Sequence, residues 1–357
     1  MELQNLQAHI RTLALLEETE SPVISCYLNL EDKRLSEQLT YLQQQQPILR
    51  ATILPANQPD FDNAFEQINT FVENNLQPET KGTAIFARAG DQPFFLPLQF
   101  RVPLPDWLVV NSTPNIYHLI ELKDTYHRYI VMISTQESAR ILEVNLGSVT
   151  EELWRERPEL RKRVGREWTK EHYQNHRRER TNQFIKEKIR ILEKLMAARG
   201  HTHLILAGNP QMTARLRNEL PRHLTDKLID TVVAASNDDI SDVVAATLSH
   251  FIEQEEQESQ AMVDLFIREI KTGGLAVAGP AACLEALQWG QADVLILAKN
   301  MEGDPLLREA LVRQSEQTQC HVEVVNHSDI LMEFGGAGCL LRYPLLTEPQ
   351  KNPVETQ

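Results

Sequence analysis

The sequence predicts an α/β protein with three domains: an N-terminal α/β domain, a mixed-sheet middle domain with a basic loop and a long helix, and a C-terminal α/β/α sandwich. Its 357 residues exceed the usual size of one domain. Short apolar runs alternate with segments of helical periodicity, which favours sheets covered by helices. We place the domains at residues 1–124, 125–258 and 259–346. Residues 347–357 carry two prolines and no apolar pattern, and are expected to be a disordered tail.

The N-terminal domain begins with leucines at helical spacing. Apolar and β-branched runs bounded by turn residues predict strands. These strands are expected at residues 23–28, 83–87 and 94–98, and further helices at 35–48 and 61–72.

The middle domain starts with three apolar runs at residues 129–133, 139–144 and 149–153, joined by short links. This pattern predicts an antiparallel meander. A helix is expected from about His176 to Gly200, with an apolar stripe that packs on the sheet. The stripe consists of Ile185, Ile189, Leu192 and Met196. Strands at 203–207 and 229–234, each followed by a helix, complete a mixed sheet.

The C-terminal domain alternates helices with strands at residues 275–278, 294–298, 321–325 and 339–341. The acidic run at 253–260 in front of it suits either the end of a long helix or a hinge. The glycines of Gly335–Gly338 lack the Lys-Ser/Thr of a phosphate-binding loop, so a turn entering the last strand is expected.

Composition excludes several classes of protein. There is no run of 18 apolar residues and no secretory signal at the N-terminus, so a cytoplasmic protein without a membrane span is expected. The four cysteines form no CxxC pair, which argues against a zinc site and a disulfide framework. We expect no metal and no cofactor, and the sequence shows no recognised catalytic motif.

Positive charge is concentrated in residues 155–190. This stretch holds 13 Lys and Arg against six Asp and Glu, a net charge of +7 in a chain whose total is −14. Aromatic and imidazole side chains are interleaved with the cations, and this combination suits RNA, because cations hold phosphates while rings stack on bases. The alternative is a solvated helix face whose charges pair with each other. The clusters at 161–163 and 177–178 have few acids nearby, which favours RNA.

The candidate RNA-binding residues lie in the loop and the first turns of the helix. They are Arg161, Lys162, Arg163, Gly165, Arg166, Trp168, Lys170, His172, Tyr173, Gln174, His176, Arg177, Arg178 and Arg180.

Two segments of the C-terminal domain, GGLAVAG at 273–279 and GQADVLIL at 290–297, resemble the C-terminal domain of archaeal and eukaryotic class-1 peptide release factors and of Pelota. The middle domain has the same order of elements: three strands, a basic loop, a long basic helix, a strand and a turn at Gly208. The resemblance covers residues 125–342 and is greatest to the bacterial and archaeal release-factor-like family.

The resemblance implies binding in the ribosomal A site. Release factors carry Gly-Gly-Gln in the middle-domain loop, where the glutamine positions the water that hydrolyses peptidyl-tRNA. Residues 164–174 here read VGREWTKEHYQ, with Gly165 and Gln174 but no Gly-Gly-Gln. Residues 1–124 match none of the stop-codon-reading motifs.

We therefore expect a translation factor that binds rRNA near the A site without terminating, in stress, hibernation or rescue. The ribosome is the expected partner, tRNA and a translational GTPase are further candidates, and no DNA is expected. One alternative is a peptidyl-tRNA hydrolase or RNA-cleaving enzyme that uses Gln174, His172 or His176. The other is a protein-interaction scaffold whose basic loop meets an acidic partner.

Overall fold

The computed structural model describes residues 3–31, 35–134, 139–156, 170–234, 238–301 and 304–344. Its strands form three sheets, one in each predicted domain. The chain packs as two compact units, one of Met1–Leu3 with Tyr126–Gln254 and one of Gln4–Thr125 with Glu255–Gln357. The predicted α/β class is confirmed, and the domain bounds stay a prediction. The basic loop and the C-terminal tail lie outside the described residues.

The N-terminal segment begins with helix α1 (Leu3–Ala14) and contains an antiparallel sheet of order β3-β2-β1-β4. Its strands are β1 (Val23–Asn29), β2 (Gly82–Arg88), β3 (Phe94–Phe100) and β4 (Trp107–Asn111). Helices α2 (Leu35–Ala51) and α3 (Gln58–Asn74) are separated by a short 3-10 turn at Pro55–Asn57. Phe61, Phe65 and Ile68 of α3 share a core with apolar side chains of β1 and β2.

Residues 107–125, for which the sequence pattern predicted no element, form β4 and helix α4 (Tyr117–Thr125). β4 is short and follows two prolines, which weakens any strand signal. In α4, polar His118 and Asp124 are buried beside leucine and isoleucine. A helix buried around most of its circumference has no single apolar stripe, so its period is hard to detect.

The unit of Met1–Leu3 with Tyr126–Gln254, called the middle unit here, contains the predicted mixed sheet. The strand order is β7-β6-β5-β8-β9. Strands β5 (Tyr129–Ser134), β6 (Ala139–Asn145) and β7 (Ser148–Glu156) form the predicted antiparallel meander. Strands β8 (His203–Gly208) and β9 (Leu228–Val233) continue it in parallel with β5. Helices α5 (Lys170–Arg199), α6 (Pro210–Glu219) and α7 (Arg222–Thr225) connect these strands.

Alternate residues of β5 enter the two cores of this unit. Ile130 and Met132 share one core with α5 and α6. Val131 and Ile133 share the other core with Phe251 of helix α8 (Ile240–Thr272). This helix is continuous over 33 residues, so the acidic run at 253–260 belongs to a long helix.

The C-terminal segment is the predicted α/β/α sandwich. Its strands β10 (Ala276–Ala278), β11 (Ala292–Ala298), β12 (His321–Val325) and β13 (Ala337–Leu341) follow the order β10-β13-β11-β12. Helix α8 and helix α11 (Asp329–Glu333) share a core with Ile296 on one face. Helices α9 (Pro280–Gln288) and α10 (Pro305–Thr318) pack on each other and on the sheet. Gly335 and Gly336, both with a φ of +79°, form the predicted turn before β13.

The larger unit consists of Gln4–Thr125 and Glu255–Gln357. Within it, α4 joins the N-terminal segment to the C-terminal segment. The buried Glu309 carboxylate of α10 accepts the backbone N–H groups of Ile116 at 2.8 Å and Tyr117 at 3.2 Å. At the other end of α4, the Asp124 carboxylate accepts the N–H of Val324 at 2.7 Å. Lys299 Nζ lies 2.7 Å from a Glu121 oxygen. These carboxylates satisfy backbone amides that become buried at the contact.

Candidate nucleic-acid interface

Helix α5 is positioned by the apolar side of its second half. Ile185, Ile189, Leu192 and Met196 are buried against β5 and β8, as the sequence pattern predicts. Their i, i+4, i+7, i+11 spacing keeps them on one side of the helix. The opposite side is therefore directed away from the sheet.

The C-terminal end of α5 is fixed by hydrogen bonds and ion pairs. The helix ends at Arg199. Gly200 follows it with a φ of +68°, and the N–H of His201 bonds to the carbonyl of Met196 at 3.0 Å. The Arg199 guanidinium lies 2.9 Å from Glu143 and 2.7 Å from Glu151. Bonds to these two carboxylates raise the pKa of Arg199. Burial lowers the pKa of His201, although Glu143 opposes this shift.

A buried lysine anchors the middle of α5. Lys188 is 0 % exposed, and its Nζ donates to the Ser134 hydroxyl at the end of β5 at 3.0 Å. The same Nζ lies 3.4 Å from the centroid of the Phe184 ring. A buried ammonium group requires such partners. Lys188 therefore fixes the helix to the sheet and adds nothing to the exposed charge.

Three exposed cations of α5 follow the predicted RNA-binding residues in sequence. Lys186, Arg190 and Lys194 are exposed, and their spacing of four residues places them along one side of the helix. The sequence interpretation ended its candidates at Arg180. Lys186, Arg190 and Lys194 lie between the residues of the apolar stripe, and this spacing alone could have identified them as exposed cations.

The predicted RNA-binding residues divide into two groups. Eight lie in the N-terminal part of α5: Lys170, His172, Tyr173, Gln174, His176, Arg177, Arg178 and Arg180. The other six, Arg161, Lys162, Arg163, Gly165, Arg166 and Trp168, lie outside the described residues. A helix of 30 residues is about 45 Å long, enough to follow several phosphates of a nucleic-acid strand. The RNA-binding roles of all fourteen stay predictions.

The turn after β8 satisfies its own amides. The Asn209 side chain accepts the N–H of Gln211 at 3.0 Å and so caps α6. Gly208-Asn209-Pro210 is therefore a turn whose asparagine caps the following helix.

None of the helices in the described parts of the chain combines the length and the hydropathy needed to cross a membrane.

Comparison with known proteins gives one family match. The model described as bacterial archaeo-eukaryotic release factor family 10 matches residues 114–256, which include the middle sheet and all of α5. No curated protein matches the chain.

Several solved structures are loosely similar. The archaeal translation termination factor aRF1 is 16% identical over 96% of this chain and 99% of its own, with a TM-score of 0.30. Pelota of Archaeoglobus fulgidus is 15% identical over 97% and 93%, with a TM-score of 0.40. Dom34 of S. cerevisiae, a translation termination-like factor that interacts with Hbs1, is 14% identical over 74% and 80%, with a TM-score of 0.44.

These structural similarities are too loose to add to the family match. The match itself confirms the resemblance found in the sequence. Residues 114–256 of the chain are similar to bacterial archaeo-eukaryotic release factor family 10, and this similarity is release-factor-like.

Proposed function

We propose that this protein is a ribosome-associated translation factor that binds rRNA near the A site without terminating translation. The observation that carries the proposal is the coincidence of two features in one region. The release-factor family match covers residues 114–256, and the basic stretch at 155–190 lies within it. The positive charge of an acidic chain is thus concentrated where the family resemblance lies.

The geometry of α5 supports contact with RNA phosphates. Its apolar side and Lys188 are used by the fold, whereas Lys186, Arg190 and Lys194 remain exposed. Cations that neutralise phosphates release counterions, so RNA binding through this helix depends steeply on salt. The concentrated charge also speeds the encounter with a polyanion.

The sequence of the loop supports a role without hydrolysis. Residues 164–174 hold Gly165 and Gln174 but no Gly-Gly-Gln, the motif through which release factors act on peptidyl-tRNA. A factor with this region and no such motif occupies a ribosome without releasing the peptide. Such occupation suits a stress, hibernation or rescue factor. The further partners in this proposal are tRNA and a translational GTPase that delivers the protein.

Neutralising the start of α5 is expected to weaken ribosome binding in a salt-dependent way. We expect Arg177→Gln, Arg178→Gln and Arg180→Gln together to reduce the slope of log affinity against log salt by about 3, roughly 1 for each lost phosphate contact. The affinity of purified 70S ribosomes for the purified chain, measured from low to moderate salt, gives this slope.

The matched control removes three exposed cations elsewhere: Arg222→Gln, Arg268→Gln and Lys271→Gln. It changes net charge equally and is expected to leave the slope nearly unchanged. Equal slopes for both triple variants would show that only net charge matters and would remove α5 as the contact. Binding that survives nuclease treatment would favour the protein scaffold instead.

Trp168→Ala tests base stacking next to the helix. Loss of a base stacked on this indole is expected to weaken ribosome binding by roughly 1–3 kcal/mol, with little change of the salt slope. Trp289→Ala is the control, because Trp289 is 70% exposed and lies outside the basic stretch. If both variants bind like the unmodified chain, Trp168 is not a stacking residue.

A further inference from the structure

Three potential metal ligands converge in the larger unit. The donor atoms of Asp124, His321 and Glu323 all lie within 4.8 Å of one another. Asp124 lies in the last turn of α4, whereas His321 and Glu323 are two residues apart on β12 and so point to the same face of the sheet. The cluster therefore joins the N-terminal segment to the C-terminal one.

Neighbouring groups orient both carboxylates. Asp124, which is 7% exposed, accepts the N–H of Val324. Glu323, whose side chain is 12% exposed, accepts the hydroxyl of Ser259. Contacts of this kind commonly hold metal ligands in position. The His321 side chain is 47% exposed and lies 3.5 Å from Glu323, so the cluster opens to solvent on its imidazole side.

The charge of this cluster favours a cation. Two carboxylates this close repel each other, and the repulsion grows as burial lowers the local dielectric. A divalent ion bound between the two carboxylates reduces this repulsion. Two carboxylate oxygens and one imidazole nitrogen suit Zn²⁺ and similar first-row ions, with water in the fourth position.

We propose that Asp124, His321 and Glu323 bind one divalent transition-metal ion of the Zn²⁺ type. Ligand atoms of a tetrahedral Zn²⁺ lie roughly 3.4 Å apart, given bond lengths of about 2.1 Å. The donor atoms, which lie within 4.8 Å of one another, move closer together when the ion binds. The bound ion holds α4 to β12 and stabilises the contact between the two segments. Its ligands are far apart in sequence, which explains why no metal motif was recognisable.

The test is a zinc titration of the purified full chain after removal of metals with a chelator. Competition with a chromophoric chelator measures the affinity, and thermal unfolding measures the stabilisation by Zn²⁺ alone. The unmodified chain is expected to bind Zn²⁺ at this cluster and to unfold at a higher temperature with it. Asp124→Asn and His321→Gln are each expected to bind Zn²⁺ tenfold or more weakly than the unmodified chain. Zn²⁺ is also expected no longer to raise their unfolding temperature.

Asp124→Asn retains the size of the side chain and an acceptor for the Val324 N–H, so the fold is kept. His250→Gln is the matched control, because His250 is another half-exposed histidine beside a carboxylate, 2.8 Å from Asp230. It is expected to bind Zn²⁺ like the unmodified chain. Equal zinc affinity in all four proteins, no stabilisation of the unmodified chain by zinc, or binding of Mg²⁺ without Zn²⁺ would each overturn the proposal.

Discussion

Gly208→Ala is expected to destabilise the middle unit by roughly 2–5 kcal/mol, the sum of backbone strain and overpacking. Gly208 is the last residue of β8, and its φ of +139° is one that alanine rarely adopts. A Cβ there would overlap the carbonyl oxygen of Ser134 and lie 2.8 Å from its carbonyl carbon. These atoms belong to the backbone of β5, the strand paired with β8, so no side chain can move aside.

Hydrogen exchange of the β5 and β8 amides, followed by mass spectrometry in increasing denaturant, reports on this unit alone. Gly200→Ala is the control, because Gly200 also has a positive φ, of +68°, but a Cβ there meets nothing within 4 Å. Its expected cost is about 1 kcal/mol. If the two variants were destabilised equally, the close approach of β8 to β5 would not be the cause.

The second large effect concerns the pH dependence of the larger unit. Burial raises the pKa of the Glu309 carboxyl group from 4.5 to about 7, opposed by its hydrogen bonds to the Ile116 and Tyr117 amides and by two arginines. Between these values the folded chain holds a proton that the unfolded chain has lost. This contribution to stability is fully present below pH 4.5 and is lost as the pH rises to about 7.

Glu309→Gln is expected to flatten this dependence, since the amide resembles the protonated carboxyl group and does not titrate. Relative to the unmodified chain, the variant should gain up to roughly 3 kcal/mol of stability between pH 4.5 and pH 8. Urea unfolding across this range measures the gain. The exposed Glu333→Gln serves as control. A constant difference between Glu309→Gln and the unmodified chain at every pH would mean that Glu309 remains ionised throughout.

Local periodicity was sufficient to predict much of the middle unit. The period-2 runs of β5 to β7 and the stripe from Ile185 to Met196 both follow from repeating contacts with one core. The stripe also contained a signal that was missed. Lys188 lies three residues after Ile185 and four before Leu192, and therefore on the buried side. Lys188 was counted in the net charge of +7 without use of this spacing.

Long-range contacts were not predictable in this way. Glu309 caps α4 from a position 193 residues later in the chain, and nothing in the local pattern of α10 indicates it. The same holds for Asp124 with His321 and Glu323. These polar contacts form between segments that approach only in the folded unit. Helix α4 itself was missed because its burial removes the polar face that makes a helix recognisable.

The proposed function requires that the chain bind ribosomes through its basic region. The most direct test is sedimentation of lysates from growing and starved cells through sucrose gradients, at low and moderate salt, with detection of this protein. We expect salt-sensitive co-migration with 70S particles and enrichment on starvation. Absence from the ribosomal fractions in both states would contradict the claim, and the release-factor resemblance would then describe the fold alone.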